Sequence, residues 1–215
     1  MKPYLFCLFF YCTLTCILAG CAQQQTQSNL NQPVALSTVR AMEQAYSLEP
    51  NNEELQYRLI SAYIRNEQYI EARSLLSRTL NVNSDSIEAN YLMGLTYGRQ
   101  KLFEEAKIFY NNVIEQNPNH IPTLFNLAVI DEKTNNYAHA KRKYEKILTK
   151  IPNDPDTNYN LALLYDEKFI DPRNAIYHYK LYLKHAQYNA ELHYRKTIIE
   201  RRIKELEFIE REKNL

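Results

Sequence analysis

This sequence has little glycine, no tryptophan and no excess of either charge. Its 215 residues include three glycines, no tryptophan, and 26 Lys+Arg against 25 Asp+Glu. Phosphate-binding loops and sharp nucleophile turns need positive φ angles, which glycine adopts at low cost. Nucleic-acid binding normally needs a clear basic excess. The composition therefore argues against both functions and predicts helices joined by short turns.

The amino terminus has the layout of a secretory signal peptide. Lys2 is followed by an apolar run from about Tyr4 to Leu18 and then by small residues. This run is too short for an ordinary transmembrane helix. Its end, Leu18-Ala19-Gly20-Cys21, resembles the lipobox of bacterial lipoproteins, which implies cleavage before Cys21 and acylation of that residue. The alternative is an uncleaved anchor in which the cysteine occurs by chance.

All four cysteines lie in this segment, at Cys7, Cys12, Cys16 and Cys21. With residues 1–20 removed and Cys21 acylated, the mature chain has no free thiol, which suits an oxidising compartment and excludes Cys-ligated metal. Several acyl chains make a durable membrane anchor. Ala22 stands where an aspartate favours inner-membrane retention of lipoproteins. The resemblance therefore implies anchoring in the bacterial outer membrane, facing the periplasm.

A polar segment follows the proposed anchor. Residues 22–33, AQQQTQSNLNQP, contain no charge and no aromatic side chain. Such a segment cannot bury enough apolar area to offset its chain entropy, so we expect a flexible tether over residues 21–35. As a random coil it spans roughly 20 Å.

The rest of the chain has an internal period of about 34 residues, a length typical of helical-hairpin repeats. Pro118 and Pro152 lie one such period apart, and Pro50 precedes Pro118 by two periods. Ser84 occupies the intermediate position, where a turn-favouring residue replaces proline. The period predicts four units, each with two amphipathic helices.

Other residues repeat in the same register. Small residues recur at Ala72, Ala106, Ala140 and, one residue late, Ala175, opposite Ile60, Gly94, Ala128 and Ala162 on the first helices. Large apolar residues recur at Leu59, Met93, Leu127 and Leu161. Aromatic residues recur at Tyr63, Tyr97 and Tyr165, with Asp131 breaking the series. The chain resembles the tetratricopeptide repeat (TPR) family over about residues 53–187.

This resemblance implies an all-α, TPR-type right-handed α-solenoid of helical hairpins, with a capping helix at each end. We predict first helices near 53–66, 87–100, 121–134 and 155–168, and second helices near 69–81, 103–116, 137–149 and 172–184. The predicted segments are a signal peptide at 1–20, the lipidated cysteine and tether at 21–35, an N-terminal capping half-repeat at 36–52, repeats at 53–86, 87–120, 121–154 and 155–188, and a C-terminal capping helix at 189–215. We expect the far end of that last helix to project into water or fray.

No residue pattern predicts catalysis, a metal site or a cofactor. The five histidines are scattered, and His185 and His193, which could approach each other, lack acidic or thiol neighbours for a metal. Phe169, next to an additional residue in the fourth unit, is either part of a tolerated loop insertion or an exposed contact point. Binding is the remaining class of function.

The TPR resemblance implies a concave groove, lined by the first helices, that accepts a protein or peptide. Transferred to this register, the groove has one aromatic residue per unit: Tyr57, Tyr91, Phe125 and Tyr159. Asn126 and Asn160, one residue further on, are candidates to hydrogen-bond a peptide backbone. The alternative is that the aromatic residues only pack against neighbouring helices.

Basic residues form a second series, Arg65, Arg99 and Lys133, ending in Glu167. Glu54, Glu88 and Asp156 form an acidic series, and the pair would orient a charged partner, although ordinary solvated charges explain the same residues. We predict a lipid-anchored periplasmic scaffold for a protein partner in an envelope assembly, of the pilus, secretion or outer-membrane biogenesis type. The alternative is a structural lipoprotein that forms homo-oligomers through its long C-terminal helix.

Overall fold

The computed structural model describes residues 33–186 and 190–213, and for residues 190–194 it describes the backbone alone. The predicted signal peptide, Cys21 and nearly all of the tether lie outside the described residues, as does the side chain of His193. In the described part the helices are α1 Leu36–Leu48, α2 Glu53–Arg65, α3 Tyr69–Val82, α4 Ile87–Arg99, α5 Phe103–Gln116, α6 Ile121–Lys133, α7 Tyr137–Leu148, α8 Pro155–Glu167, α9 Pro172–His185 and α10 Ala190–Glu212.

For the helices of the four repeats, these bounds agree with the predicted ones to within one residue at each end. The prediction of an all-α, TPR-type α-solenoid fold is confirmed, since the helices form a series of hairpins. Among the described residues, no helix combines the length and apolarity that crossing a membrane requires.

The chain forms two compact units, Met1–Gln116 and Asn117–Leu215. In the first unit, each of the helices α1 to α5 contacts the next one along the chain. In the second unit, the same is true of α6 to α10. Each unit is therefore a stack of hairpins in which a helix buries its apolar side against its sequence neighbours.

The turns between repeats explain the recurring proline. The amide of Asn52 donates to the carbonyl of Glu49 at 3.0 Å, and equivalent bonds close 83–86, 117–120 and 151–154. Pro50, Ser84, Pro118 and Pro152 occupy the second position of these four-residue turns, where proline presets the required φ. Asn52, Ser86 and Asp154 then cap the following helices through their side chains. One turn thus ends a repeat and starts the next.

The turns inside the hairpins have one residue each in the left-handed region. These residues are Glu67, Lys101, Asn135 and Ile170, with φ between 53° and 62°. In the first three turns, the next amide bonds a carbonyl five residues back, as in Gln68 to Tyr63 at 2.9 Å. In the fourth, Asp171 reaches back six residues to Tyr165 at 2.8 Å. The additional residue of this unit is therefore accommodated before the left-handed position.

The third hairpin contains an ion pair where the other three have a tyrosine. Asp131 is buried, with 5% of its surface exposed. Its carboxylate lies 2.5 Å from Nζ of Lys143 on α7. A buried carboxylate needs such a partner, because desolvation without one is costly. The break in the aromatic series is thus compensated within the hairpin.

The C-terminal helix differs from our prediction in its second half. Instead of projecting into water, α10 runs along α9: Leu206 is 2% exposed, and Glu207 pairs with Lys180 at 2.8 Å. The helix continues to Glu212. Up to Glu210 the prediction of a projecting or fraying end was wrong, because the apolar stripe of Ile199, Ile203 and Leu206 is buried and Glu210 pairs with Arg173 of α9 at 3.4 Å.

Candidate functional site

The predicted groove residues lie on the first helices, at one register position per repeat. Tyr57 and Tyr91 belong to the first compact unit, and Phe125 and Tyr159 to the second. Each unit therefore presents its own pair of aromatic residues.

In the first unit the two tyrosines have different environments. Tyr57 is half-buried, and its hydroxyl lies 3.2 Å from Oγ of Ser86, the cap of α4. Tyr91 is 7% exposed, with its ring centroid 6.2 Å from that of Tyr110. Tyr91 therefore fits the alternative that these aromatic residues only pack against neighbouring helices, whereas Tyr57 keeps part of its surface accessible.

In the second unit both aromatic residues are half-buried. Phe125 meets the ring of Tyr144 edge-on at 5.7 Å. Tyr159 packs against Tyr182 at 5.0 Å, and the guanidinium of Arg195 on α10 lies 5.0 Å above its ring. The chain itself thus supplies a cation for Tyr159.

The two asparagines also differ. Asn160 donates from Nδ2 to the Tyr144 hydroxyl at 3.3 Å. Nδ2 of Asn126 is shielded from solvent and has no acceptor among the described residues. An unsatisfied buried donor costs about 1–3 kcal/mol.

The basic series follows the ends of the first helices. Arg65, Arg99 and Lys133 each lie in the last turn of their helix, where a cation interacts favourably with the helix dipole. Arg99 and Lys133 are exposed, and Arg65 is half-buried. Of the acidic series, Glu54 is exposed and lies 3.7 Å from Arg58 on its own helix. These placements are compatible with either steering of a partner or simple solvation.

Sequence reasoning missed a group of hydrogen-bonded side chains around the buried carboxylate of Asp166, at the C-terminal end of α8. Asp166 is 9% exposed and accepts bonds from Arg202 at 2.7 and 2.9 Å and from the Tyr179 hydroxyl at 3.2 Å. The hydrogen bonds to Asp166 raise the pKa of the Arg202 guanidinium, and burial raises the pKa of Tyr179. The signal in the sequence was the recurrence of an acidic residue, since Glu132 lies one repeat period before Asp166.

The histidines that the structure describes have structural surroundings. His178 stacks on Tyr165 at 5.7 Å, and its Nδ1 lies 2.9 Å from Oδ1 of Asn158. Burial lowers the pKa of His178 to about 4, so the ring is neutral at physiological pH. Nδ1 of His120 lies 2.8 Å from the Thr123 hydroxyl. Within the described ranges, no three His, Cys, Asp or Glu side chains are grouped to hold a metal.

Comparison with known proteins agrees with this geometry. Two family models described as tetratricopeptide repeat match residues 37–95 and 87–120. Residues 37–120 carry tetratricopeptide repeats. These TPR units have the hairpin geometry described above and are modules for protein interaction. The class of function supported is thus a protein-interaction scaffold.

Solved structures with the same fold include three structures of MamA. A crystal structure of MamA has 19% sequence identity and a TM-score of 0.59, covering 75% of this chain and 91% of that one. MamA 41-end from Desulfovibrio magneticus RS-1 has 16% identity and a TM-score of 0.60, covering 77% and 93%. MamA MSR-1 has 23% identity and a TM-score of 0.54, covering 68% and 83%. At these identities the similarity concerns the fold. No curated protein sequence matches this chain.

Proposed function

We propose that this protein is a lipid-anchored scaffold that holds a protein partner in a bacterial envelope assembly. The partner binds to the first-helix faces of the TPR units, and Cys21 carries the acyl chains. The observation that carries the proposal is the pair of half-buried aromatic residues, Tyr57 and Phe125, at the same register position of two repeats. Partly exposed rings provide contact area at low entropic cost.

The asparagine beside Phe125 supports the same surface. Nδ2 of Asn126 is shielded and has no acceptor among the described residues. Phe125 offers a ring to an apolar side chain, and rotation of the half-buried Asn126 side chain would bring its amide to a backbone carbonyl of the partner. Arg99, exposed at the end of its helix in the first unit, would steer an acidic part of the partner toward that unit.

The test is recovery of the partner from cross-linked membranes with the full-length chain as bait. Phe125→Ala and Tyr57→Ala are each expected to reduce recovery at least about fivefold, as loss of an interface aromatic does. Tyr177→Ala is the matched control, because Tyr177 is 58% exposed on α9, a second helix. Equal recovery with all three variants would place the binding surface elsewhere.

A second candidate is self-association through the C-terminal helix. Ile198, Phe208 and Ile209 are 40%, 58% and 38% exposed on α10, although its other side is buried. Phe208→Ser leaves the buried Leu206 in place and removes the most exposed of the three apolar side chains. Light scattering that gives one concentration-independent mass for both the native chain and Phe208→Ser would exclude this candidate.

A further inference from the structure

In the fourth repeat, the first helix, α8, binds α10, the helix that follows the repeat. Arg202 of α10 binds the Asp166 carboxylate of α8 through Nε and Nη2, and the Tyr179 hydroxyl donates to the same carboxylate. Two turns earlier, the guanidinium of Arg195 lies over the ring of Tyr159. Two arginines seven residues apart thus contact an aromatic residue and an acid that are also seven residues apart.

The third repeat contains the same receptor residues. Phe125 and Glu132 on α6 each lie one repeat period before Tyr159 and Asp166. Tyr144 corresponds to Tyr179 once the additional residue of the fourth repeat is counted. Its hydroxyl donates to Oε1 of Glu132 at 2.5 Å, as Tyr179 does to Asp166. Glu132 is half-buried.

The two repeats differ in the residues that face these receptors. Each of the two arginines of α10 has a counterpart on α8, which lies earlier in the chain by one repeat period plus the additional residue. Asn160 corresponds to Arg195, and Glu167 corresponds to Arg202. Among the described residues Glu132 forms no salt bridge, and Glu167 lies 3.6 Å from Lys168 in an exposed pair. Burial raises the pKa of Glu132; the hydrogen bond from Tyr144 and the positive charge of Lys133 oppose this rise, and the negative charge of Glu167 adds a smaller one. The third repeat therefore keeps a partly desolvated carboxylate without the guanidinium that its counterpart has.

We propose that Glu132, flanked by Glu167, binds an arginine side chain of the protein partner. A planar guanidinium can donate to both carboxylate oxygens of Glu132, as Arg202 does to those of Asp166. A guanidinium between Glu132 and Glu167 would face two carboxylates, which favours a cationic side chain at this point. This inference rests on the proposed function and specifies the partner's chemistry.

The direct test uses fluorescent alanine-based helical peptides and the full-length protein. One peptide carries a single arginine; the others carry lysine or glutamine at that position. By fluorescence anisotropy the arginine peptide is expected to bind best, and Glu132→Gln to weaken it about tenfold, the typical effect of losing a charged hydrogen-bonded pair. Glu104→Gln is the control, since Glu104 is an exposed carboxylate of the first unit, paired with Lys107.

A second variant keeps the test independent of any folding defect. Glu167→Arg places an arginine at the position that Arg202 has in the next repeat, so it is expected to fill the site, raise the Tm and abolish peptide binding. Binding unchanged in both Glu132→Gln and Glu167→Arg, or equal binding of the lysine or glutamine peptide, would overturn the assignment. Partner recovery that depends on Phe125 but not on Glu132 would overturn this inference alone. Recovery that depends on neither Phe125 nor Tyr57 would overturn the proposed function.

Discussion

Gly94 lies under the ring of Tyr110, and this contact fixes the distance between α4 and α5. A Cβ atom at Gly94 would lie 2.6 Å from Cδ1 and 2.7 Å from Cε1 of that ring. Tyr110 is 1% exposed, so the ring has no free space into which to move. The small residue predicted from the repeat pattern is therefore a steric requirement at this position.

We expect Gly94→Ala to lower the free energy of unfolding by about 1–3 kcal/mol, because the core is overpacked. Gly98→Ala is the matched control on the same helix, since its nearest atoms would lie 3.8 and 3.9 Å away. That control is expected to be neutral or stabilising by up to about 1 kcal/mol. Urea denaturation measures both. An equal effect of the two substitutions would show that the ring contact is irrelevant.

Ile170 is the residue whose backbone conformation suits its side chain least. Its φ is 53°, and it is β-branched and 64% exposed. We expect Ile170→Asn to raise the free energy of unfolding by about 1 kcal/mol, because asparagine adopts the left-handed conformation at lower cost and little burial is lost. Ile170→Val keeps the branching and should show no gain in the same thermal melts. A loss of stability in Ile170→Asn would mean that the isoleucine side chain makes a stabilising contact.

At the scale of the element, the capping helix α10 depends on a few contacts that no local pattern contains. Its position against α8 rests on Arg202 and Arg195, and its position against α9 on Leu206 and the Lys180–Glu207 pair. The helix itself is predictable from its periodicity. Its partners are not, because a charged residue on a helix has the same local pattern whether it is paired or solvated.

We expect Arg202→Leu to destabilise the second unit by about 2–3 kcal/mol, since it leaves the carboxylate of Asp166 buried without its cation. Hydrogen exchange should speed up selectively in α10. Arg201→Leu is the control: Arg201 lies 3.9 Å from Glu205 in an exposed pair, which is worth at most about 1 kcal/mol. Full protection of α10 in Arg202→Leu would contradict an anchoring role for this arginine.

The element boundaries were predictable because the signals are local. The turns at 49–52, 83–86, 117–120 and 151–154 combine proline or serine with a capping side chain in three of the four. These residues act within four positions of themselves, so sequence alone locates them. The candidate site was less predictable: all four aromatics have one register, but Tyr91 is core and packs on Tyr110, whereas Tyr57 is half-buried.

At the scale of the whole molecule, the proposed function combines the TPR units with the amino-terminal segment. On this proposal, a tether of about a dozen residues would let those units stand clear of a bilayer. Charge is balanced, with 26 basic and 25 acidic residues, so the proposed acyl chains would be the main source of membrane affinity.

We therefore expect Cys21→Ser to abolish incorporation of labelled palmitate and to move the protein from the membrane to the soluble fraction of cells. The physical reason is the loss of acyl chains, whose buried methylenes contribute about 0.8 kcal/mol each. Cys12→Ser, inside the predicted signal peptide, is the control and should leave labelling unchanged. Membrane association that persists in Cys21→Ser without label would favour an uncleaved anchor.

The sequence by itself determined the helices, the turns and the repeat period, because propensity, capping and turn chemistry depend on residues close together in the chain. The tertiary structure alone decided that Asp166 meets Arg202, that Tyr91 is core, and that the last helix lies along α9. Those outcomes depend on which side chain of a neighbouring helix stands opposite, and the local sequence does not contain that information.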